Sequence, residues 1–187
     1  MDIERYLNRI NYQGAREPTL QVLQQLQLAH LMTVPFENLD IHYQRKIVLE
    51  PERLFTKVMH NNRGGFCYEL NGLFSELLRA FGFEVTQISA RVWSDSKKAW
   101  PPEFDHMALL VHIDGSIYMT DVGFGDSFFV PLRLTPDLIQ RDRKGLYRIR
   151  QFDSTYQLLE YFSEEKWTNC YIFTEVPRQL EDFAERC

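Results

Sequence analysis

Cys67, His106 and Asp121 are the side-chain types from which a thiol nucleophile, its base and an orienting carboxylate are built. Cys67 stands in RGGFCYELN, residues 63 to 71, directly after Gly64-Gly65-Phe66 and at the mouth of a run with apolar residues at helical spacing. A helix N-terminus offers backbone N–H groups without intrahelical partners and a partial positive charge, and both stabilise a thiolate. A cysteine serving as a small core residue needs neither. The same N–H groups can serve a developing oxyanion. Gly64-Gly65 lets another stretch of chain or a substrate approach closely.

A hairpin brings the other two residues together. VHIDGSIY carries Asp114-Gly115 between two strand-like runs, the strongest short-range signal for a two-residue turn. With those residues as the turn, Ile113 faces Ser116 and Ala108 faces Asp121. His106 then projects from the same face as Asp121, one diagonal step away, where Cα atoms lie about 7–8 Å apart. A slip of one residue puts the two on opposite faces. In the expected register His106 takes the thiol proton to leave a thiolate–imidazolium pair, while Asp121 fixes the tautomer and stabilises the imidazolium.

No other residues form a comparable set. His30, His60 and His112 lack such company and read as surface or core residues. The three cysteines and five histidines show no metal-ligand spacing, so no metal is expected. Lys97-Lys98 reads as a solvated loop, and Gly123-Phe124-Gly125 is too short to argue as a phosphate loop.

The elements that must position the set change character near Gly82. Before it the chain reads as helical. Asp2 caps a helix carrying Ile3, Tyr6, Leu7 and Ile10, and Thr19 caps a second with Leu20, Leu23, Leu26 and Leu31, halted before Pro35. Pro51 opens a third with Leu54, Phe55, Val58 and Met59. A fourth runs from Cys67 through Leu70, Phe74, Leu77, Leu78 and Phe81 and stops at Gly82. Beyond it, FEVTQISARVW, HMALLVHI, SIYMTDV, YRIRQF, YQLLEYF and CYIFTEV are short, β-branched and aromatic runs separated by turn signals. PRQLEDFAERC reads as the start of another helix. The expected class is α+β: an N-terminal helical bundle followed by an antiparallel β-sheet or small barrel, a cysteine-protease-like triad scaffold.

Composition narrows the function. With 187 residues, 44% of them hydrophobic and 25% charged, the chain has the make-up of an ordinary globular protein. A net charge of −5 argues against general binding of nucleic acid or anionic membranes. No apolar run approaches the roughly 18 residues of a membrane span, and MDIERYLNRI reads as a helix rather than a signal peptide. Cys67, Cys170 and Cys187 form no C-x-x-C pair and no even disulfide framework, so a reducing cytoplasm is the expected location.

With these residues in view, the chain resembles the arylamine N-acetyltransferases. The resemblance runs through MDIERYLNRI, VPFENLDIH (34–42), NRGGFCYELN (62–71), DHMALLV (105–111), DVGFG (121–125) and PRQLEDFAE (177–185). It implies an enzyme whose cysteine takes an acetyl group from acetyl-CoA, as co-substrate, and passes it to a small aromatic amine or hydrazine, a role in xenobiotic metabolism. Carried over, Cys67 is the acetyl-accepting nucleophile, His106 its base and Asp121 the orienter. Phe124, with Phe66 and Gly125, is expected to contact the substrate, and Glu37 and Arg63 resemble a charged pair that supports the site.

Members of that family continue beyond PRQLEDFAE with a third, mixed α/β segment that covers the cleft and contributes to coenzyme A binding, whereas this sequence ends at Cys187. The expected organisation is a helical domain at 1–82 carrying the nucleophile and a β-rich domain at 83–187 carrying the His/Asp pair, without the third. Two consequences are expected: self-association through the uncovered surface, and hydrolysis of acetyl-Cys67 by water reaching an open cleft. Two other readings stay open. One is another Cys-His-Asp thiol enzyme, a hydrolase or transglutaminase-like. The other is an inactive fragment that only binds an aromatic ligand.

Overall fold

A computed structural model describes residues 1–125 and 128–186 of the chain. Cys187, counted among the cysteines above, lies outside the described residues. Helix α1 (Ile3–Arg9) starts where expected, with the Asp2 carboxylate accepting the Arg5 N–H at 2.9 Å. Helix α2 (Leu20–Thr33) is capped by the Thr19 hydroxyl and ends at Val34, ahead of Pro35. A four-residue turn, α3 (Leu39–His42), follows. Helix α4 (Pro51–Phe55) opens on its proline and widens into a π-helical turn at Thr56–His60. Helix α5 (Cys67–Ala80) is the centre of the helical half: Leu70, Leu73, Phe74, Leu77 and Leu78 are all fully buried. It stops at Gly82, whose φ of +88° is costly for any side-chain-bearing residue.

The rest forms one antiparallel sheet of eight strands: β1 (Glu84–Val92), β2 (His106–Ile113), β3 (Ser116–Thr120), β4 (Leu132–Arg133), β5 (Gln140–Arg141), β6 (Leu146–Gln151), β7 (Gln157–Ser163) and β8 (Lys166–Phe173). Their order is β4-β3-β2-β1-β8-β7-β6-β5. The two short edge strands meet: the Gln140 side-chain amide accepts the Arg133 N–H at 2.7 Å and donates to the Arg133 carbonyl at 2.9 Å. A side chain thus completes what a ladder bond does elsewhere, and the sheet curls toward a barrel.

Strand β2 is buried on both faces, and its alternation divides the core. Met107, Leu109, Val111 and Ile113 pack against the helices, with α5 at the centre. Ala108 and Leu110 turn the other way, into a second cluster with Ile88, Phe128, Ile149, Tyr171 and Phe173. His106 shares the parity of the second set.

One element differs from expectation. PRQLEDFAERC forms a 3₁₀ turn, Leu180–Arg186, not an α-helix. Its two buried apolar residues, Leu180 and Phe183, are three apart, and a 3₁₀ helix eclipses that spacing so both anchors reach the core together. Helix α3 and strands β4 and β5 carry too few residues for periodicity to announce them. No helix among the described residues is long and apolar enough to cross a membrane.

Candidate active site

Cys67 is the first residue of α5, and the chain before it explains the two glycines. Residues 35–37 run alongside as a parallel bridge, with Gly65 N–H donating to Pro35 O and Glu37 N–H donating to Gly65 O at 2.9 Å. A Cβ on Gly64 would lie 1.9 Å from the Pro35 oxygen. The close approach is therefore made by the chain itself. On the helix side the Glu69 carboxylate reaches back to the Phe66 N–H at 3.0 Å, half of a capping box that squares the first turn.

The hairpin has the expected register. Asp114 and Gly115 both adopt positive φ, +48° and +72°, and Ile113 pairs with Ser116 and Leu109 with Thr120. One step past β3, Asp121 turns its carboxylate to His106, with Nε2 to Oδ2 at 2.7 Å. With Nε2 occupied, the other ring nitrogen is the one left for the Cys67 thiol proton. Imidazole and carboxylate are both buried, and Cys67 is 8% exposed. Burial alone lowers the His106 pKa, but the charge and hydrogen bond of Asp121, joined by Cys67, outweigh it and push the value from 6.5 up to about 10. A raised folded-state pKa means that the pair's contribution to stability is complete below about pH 6.5 and is lost as pH rises through about 10. Melting temperature is expected to fall with pH toward about 10 in the native chain and to fall less in Asp121→Asn.

Three partners of Asp121 carry no sequence signal of their own. Its Oδ1 accepts from Asn71 Nδ2 and Gly123 N–H, each at 2.9 Å, and its Oδ2 accepts from the Tyr171 hydroxyl at 3.2 Å as well as from His106. Asn71 could have been suspected, since it lies one turn below Cys67 on the same helix face. Tyr171 reaches the site because β8 pairs with β1, which local pattern does not reveal.

Gly123 is the point of closest approach between the two halves of the site. A Cβ there would stand 2.6 Å from the Cys67 Cα and 2.9 Å from Asn71 Nδ2. Gly123→Ala is expected to destabilise by about 1–3 kcal/mol, because backbone must move to admit the methyl. Chemical denaturation of the two proteins measures it.

The expected substrate-contacting residues separate. Phe66 lines a cleft of about 260 Å³ that opens at Cys67, with Ile41, Tyr68, Pro102, Phe104, Asp105 and Arg186. Phe124 packs edge-on against His106 and Tyr171, ring centroids 5.3 and 5.1 Å away. Gly125 is exposed beside Phe36 and stands outside that lining. Arg63 and Glu37 do pair, at 2.7 Å, within a larger cluster. Arg63 also meets Asp40, and Lys57 meets Asp40 and Glu69 at 2.9 and 2.8 Å. Among the described residues, no group of three or more His, Cys, Asp or Glu side chains is placed to hold a metal.

A protein-family model described as N-acetyltransferase matches residues 19–187. The arylamine N-acetyltransferase of Mycolicibacterium smegmatis is 37% identical over 187 residues, covering 97% of this chain and 68% of that protein. The chain belongs to the arylamine N-acetyltransferase family. A Salmonella typhimurium relative, an arylamine N-acetyltransferase / N-hydroxyarylamine O-acetyltransferase, is 37% identical over 96% of this chain, which spans 64% of the relative's length. The solved M. tuberculosis arylamine N-acetyltransferase superposes with a TM-score of 0.92 at 37% identity, over 98% of this chain and 70% of that one. The Mycobacterium marinum arylamine N-acetyltransferase, solved in complex with CoA, superposes with a TM-score of 0.90 at 34% identity, over 98% of this chain and 69% of that one.

Proposed function

We propose that this protein transfers an acetyl group from acetyl-CoA to a small aromatic amine or hydrazine, through an acetyl-Cys67 intermediate. The observation that carries the proposal is His106, hydrogen-bonded to Asp121 at 2.7 Å and electrostatically coupled to Cys67, which stands at the N-terminus of α5 in an open cleft. Family membership supplies the donor. The cleft suits a thioester on a slender arm, since Ile41, Phe66, Pro102 and Phe104 present apolar walls around the sulfur.

Cys67, as the thiolate of a thiolate–imidazolium pair, attacks the acetyl carbonyl carbon. The first-turn N–H groups of α5 lie where the carbonyl oxygen gains charge. The C–S bond to coenzyme A breaks, His106 gives its proton to the departing thiolate, and acetyl-Cys67 remains. One thioester is exchanged for another, so this half-reaction is close to balanced. In the second half, the amine nitrogen attacks acetyl-Cys67 while neutral His106 takes its proton, and Cys67 leaves as thiolate beside the renewed imidazolium. Aromatic amines are weakly basic and uncharged at neutral pH, which suits them as acceptors.

In this reading residues 1–82 deliver the nucleophile and 83–187 the His/Asp pair, Phe124 and Phe66 flank the acceptor ring, and Arg63 with Glu37 braces the loop before Cys67. A cytoplasmic setting, a part in handling foreign amines, and self-association through apolar surface near the cleft, such as Phe36, Leu39 and Ile41, belong to the same proposal. Initial rates with acetyl-CoA and an aniline test it. Acetylated aniline and free coenzyme A in equal amounts, with parallel double-reciprocal lines, are expected. Coenzyme A release without acetylated amine would instead mean a hydrolase.

A further inference from the structure

Asn71 is fully buried, lies one turn below Cys67 on α5, and makes three side-chain hydrogen bonds to two separate stretches of the chain. Its Nδ2 donates to Met107 O at 2.7 Å and to Asp121 Oδ1 at 2.9 Å, and its Oδ1 accepts the Val122 N–H at 2.9 Å. The amide orientation is unambiguous: a backbone N–H must meet oxygen, and a backbone carbonyl must meet the NH₂ group. One amide therefore fastens the helix bearing the nucleophile to β2 beside His106 and to the turn bearing Asp121.

We propose that Asn71 is the positioning residue of the site, holding the His106–Asp121 pair at working distance from Cys67. The first bond ties α5 to the residue after His106. The second occupies Asp121 Oδ1 and so directs Oδ2 to the imidazole. The third keeps the chain after Asp121 from rotating, with Gly123 pressed against the Cys67 backbone. Simple packing does not demand this chemistry: a leucine fills such a core position without engaging Asp121. Asn71 does not line the cleft at Cys67, so its effect passes through the three reacting residues and not through substrate contact.

The proposal rests on Cys67 being the nucleophile, but its test does not need acetyl transfer. Iodoacetamide reads the thiolate directly, so failure of the acetyltransferase reading leaves this experiment interpretable. In Asn71→Ala, well below its melting temperature, the pH profile of Cys67 alkylation is expected to differ from that of the native chain, with slower alkylation at neutral pH. Acylation by acetyl-CoA is expected to slow about 10²-fold with the donor KM unchanged, the cost of misplacing reacting groups by about an ångström. The downfield proton resonance of the His106–Asp121 bond should shift or broaden. A purely structural Asn71 would lower stability and leave the alkylation profile where it was. Should Asn71→Ala not fold, Asn71→Leu keeps the volume while removing all three hydrogen bonds without adding charge, and the same change and the same KM are expected. A wild-type alkylation profile in either folded variant overturns the proposal.

Discussion

Asp121→Asn is expected to slow Cys67 acylation by about 10³–10⁴-fold, the size of loss seen when the orienting carboxylate of a nucleophile–histidine–aspartate set becomes an amide. All four bonds to Asp121 are made by groups that can donate: Asn71 Nδ2, Gly123 N–H, the Tyr171 hydroxyl and His106 Nε2. An asparagine presents one oxygen and one NH₂ to those four. If the oxygen serves Asn71 and Gly123, its NH₂ meets Nε2, and the histidine must turn its proton to the nitrogen that should receive the thiol proton. If the oxygen serves His106, two donors on the opposite side face a donor in a fully buried site. Either way the imidazolium loses the charge that raises its pKa to about 10. Alkylation of the folded variant by iodoacetamide measures the effect without any donor, and a rate equal to wild type would remove Asp121 from the site.

Lys57→Met is expected to cost about 3–5 kcal/mol of stability, the penalty for leaving buried charge without its partner. The Lys57 ammonium sits among Glu69, Asp40 and Glu37 at 2.8, 2.9 and 3.5 Å. Burial works against its charge, yet the hydrogen bonds it donates to Glu69 and Asp40 leave its pKa raised. Without it, among the described residues, Glu69 keeps only the Phe66 N–H, while Glu37 keeps Arg63 and Asp40 keeps Arg63 and Arg45. Asp40 adds a pH signature. Burial pushes its carboxyl up, but Arg63 and Lys57 pull it down to about 2, so its contribution is present above about pH 3.8 and is lost as pH falls through about 2. Urea denaturation of Lys57→Met, with Lys57→Met/Glu69→Gln beside it, separates charge from packing. The double variant is expected to recover part of the loss, and an equally unstable double variant would assign the cost to packing.

What could be foreseen from residues, and what could not, divides by the range of the cause. The hairpin was legible because Asp114-Gly115 is a local chemical signal that sets register, and register alone carries His106 to Asp121. Caps at Asp2 and Thr19 and the stop at Gly82 are equally local. The partners of Asp121 depend instead on packing between distant elements: Tyr171 arrives through the β8–β1 pairing, 50 residues from the carboxylate it touches. Lys57 meets Glu69 because α4 opens into a π turn, which no pattern in LFTKVMH announces. Gly64 reads in the sequence as a place of close approach, but that the Pro35 backbone makes the approach is a long-range fact, and so is the Cys67 backbone lying against Gly123.

The most direct test of Cys67 as an acetyl-accepting nucleophile is the intact mass of the protein after brief exposure to acetyl-CoA, with Cys67→Ala treated alongside. One added acetyl group on the native chain and none on the variant is the expected result. The same adduct on Cys67→Ala, or a native chain that gains no mass and releases no coenzyme A, would contradict it.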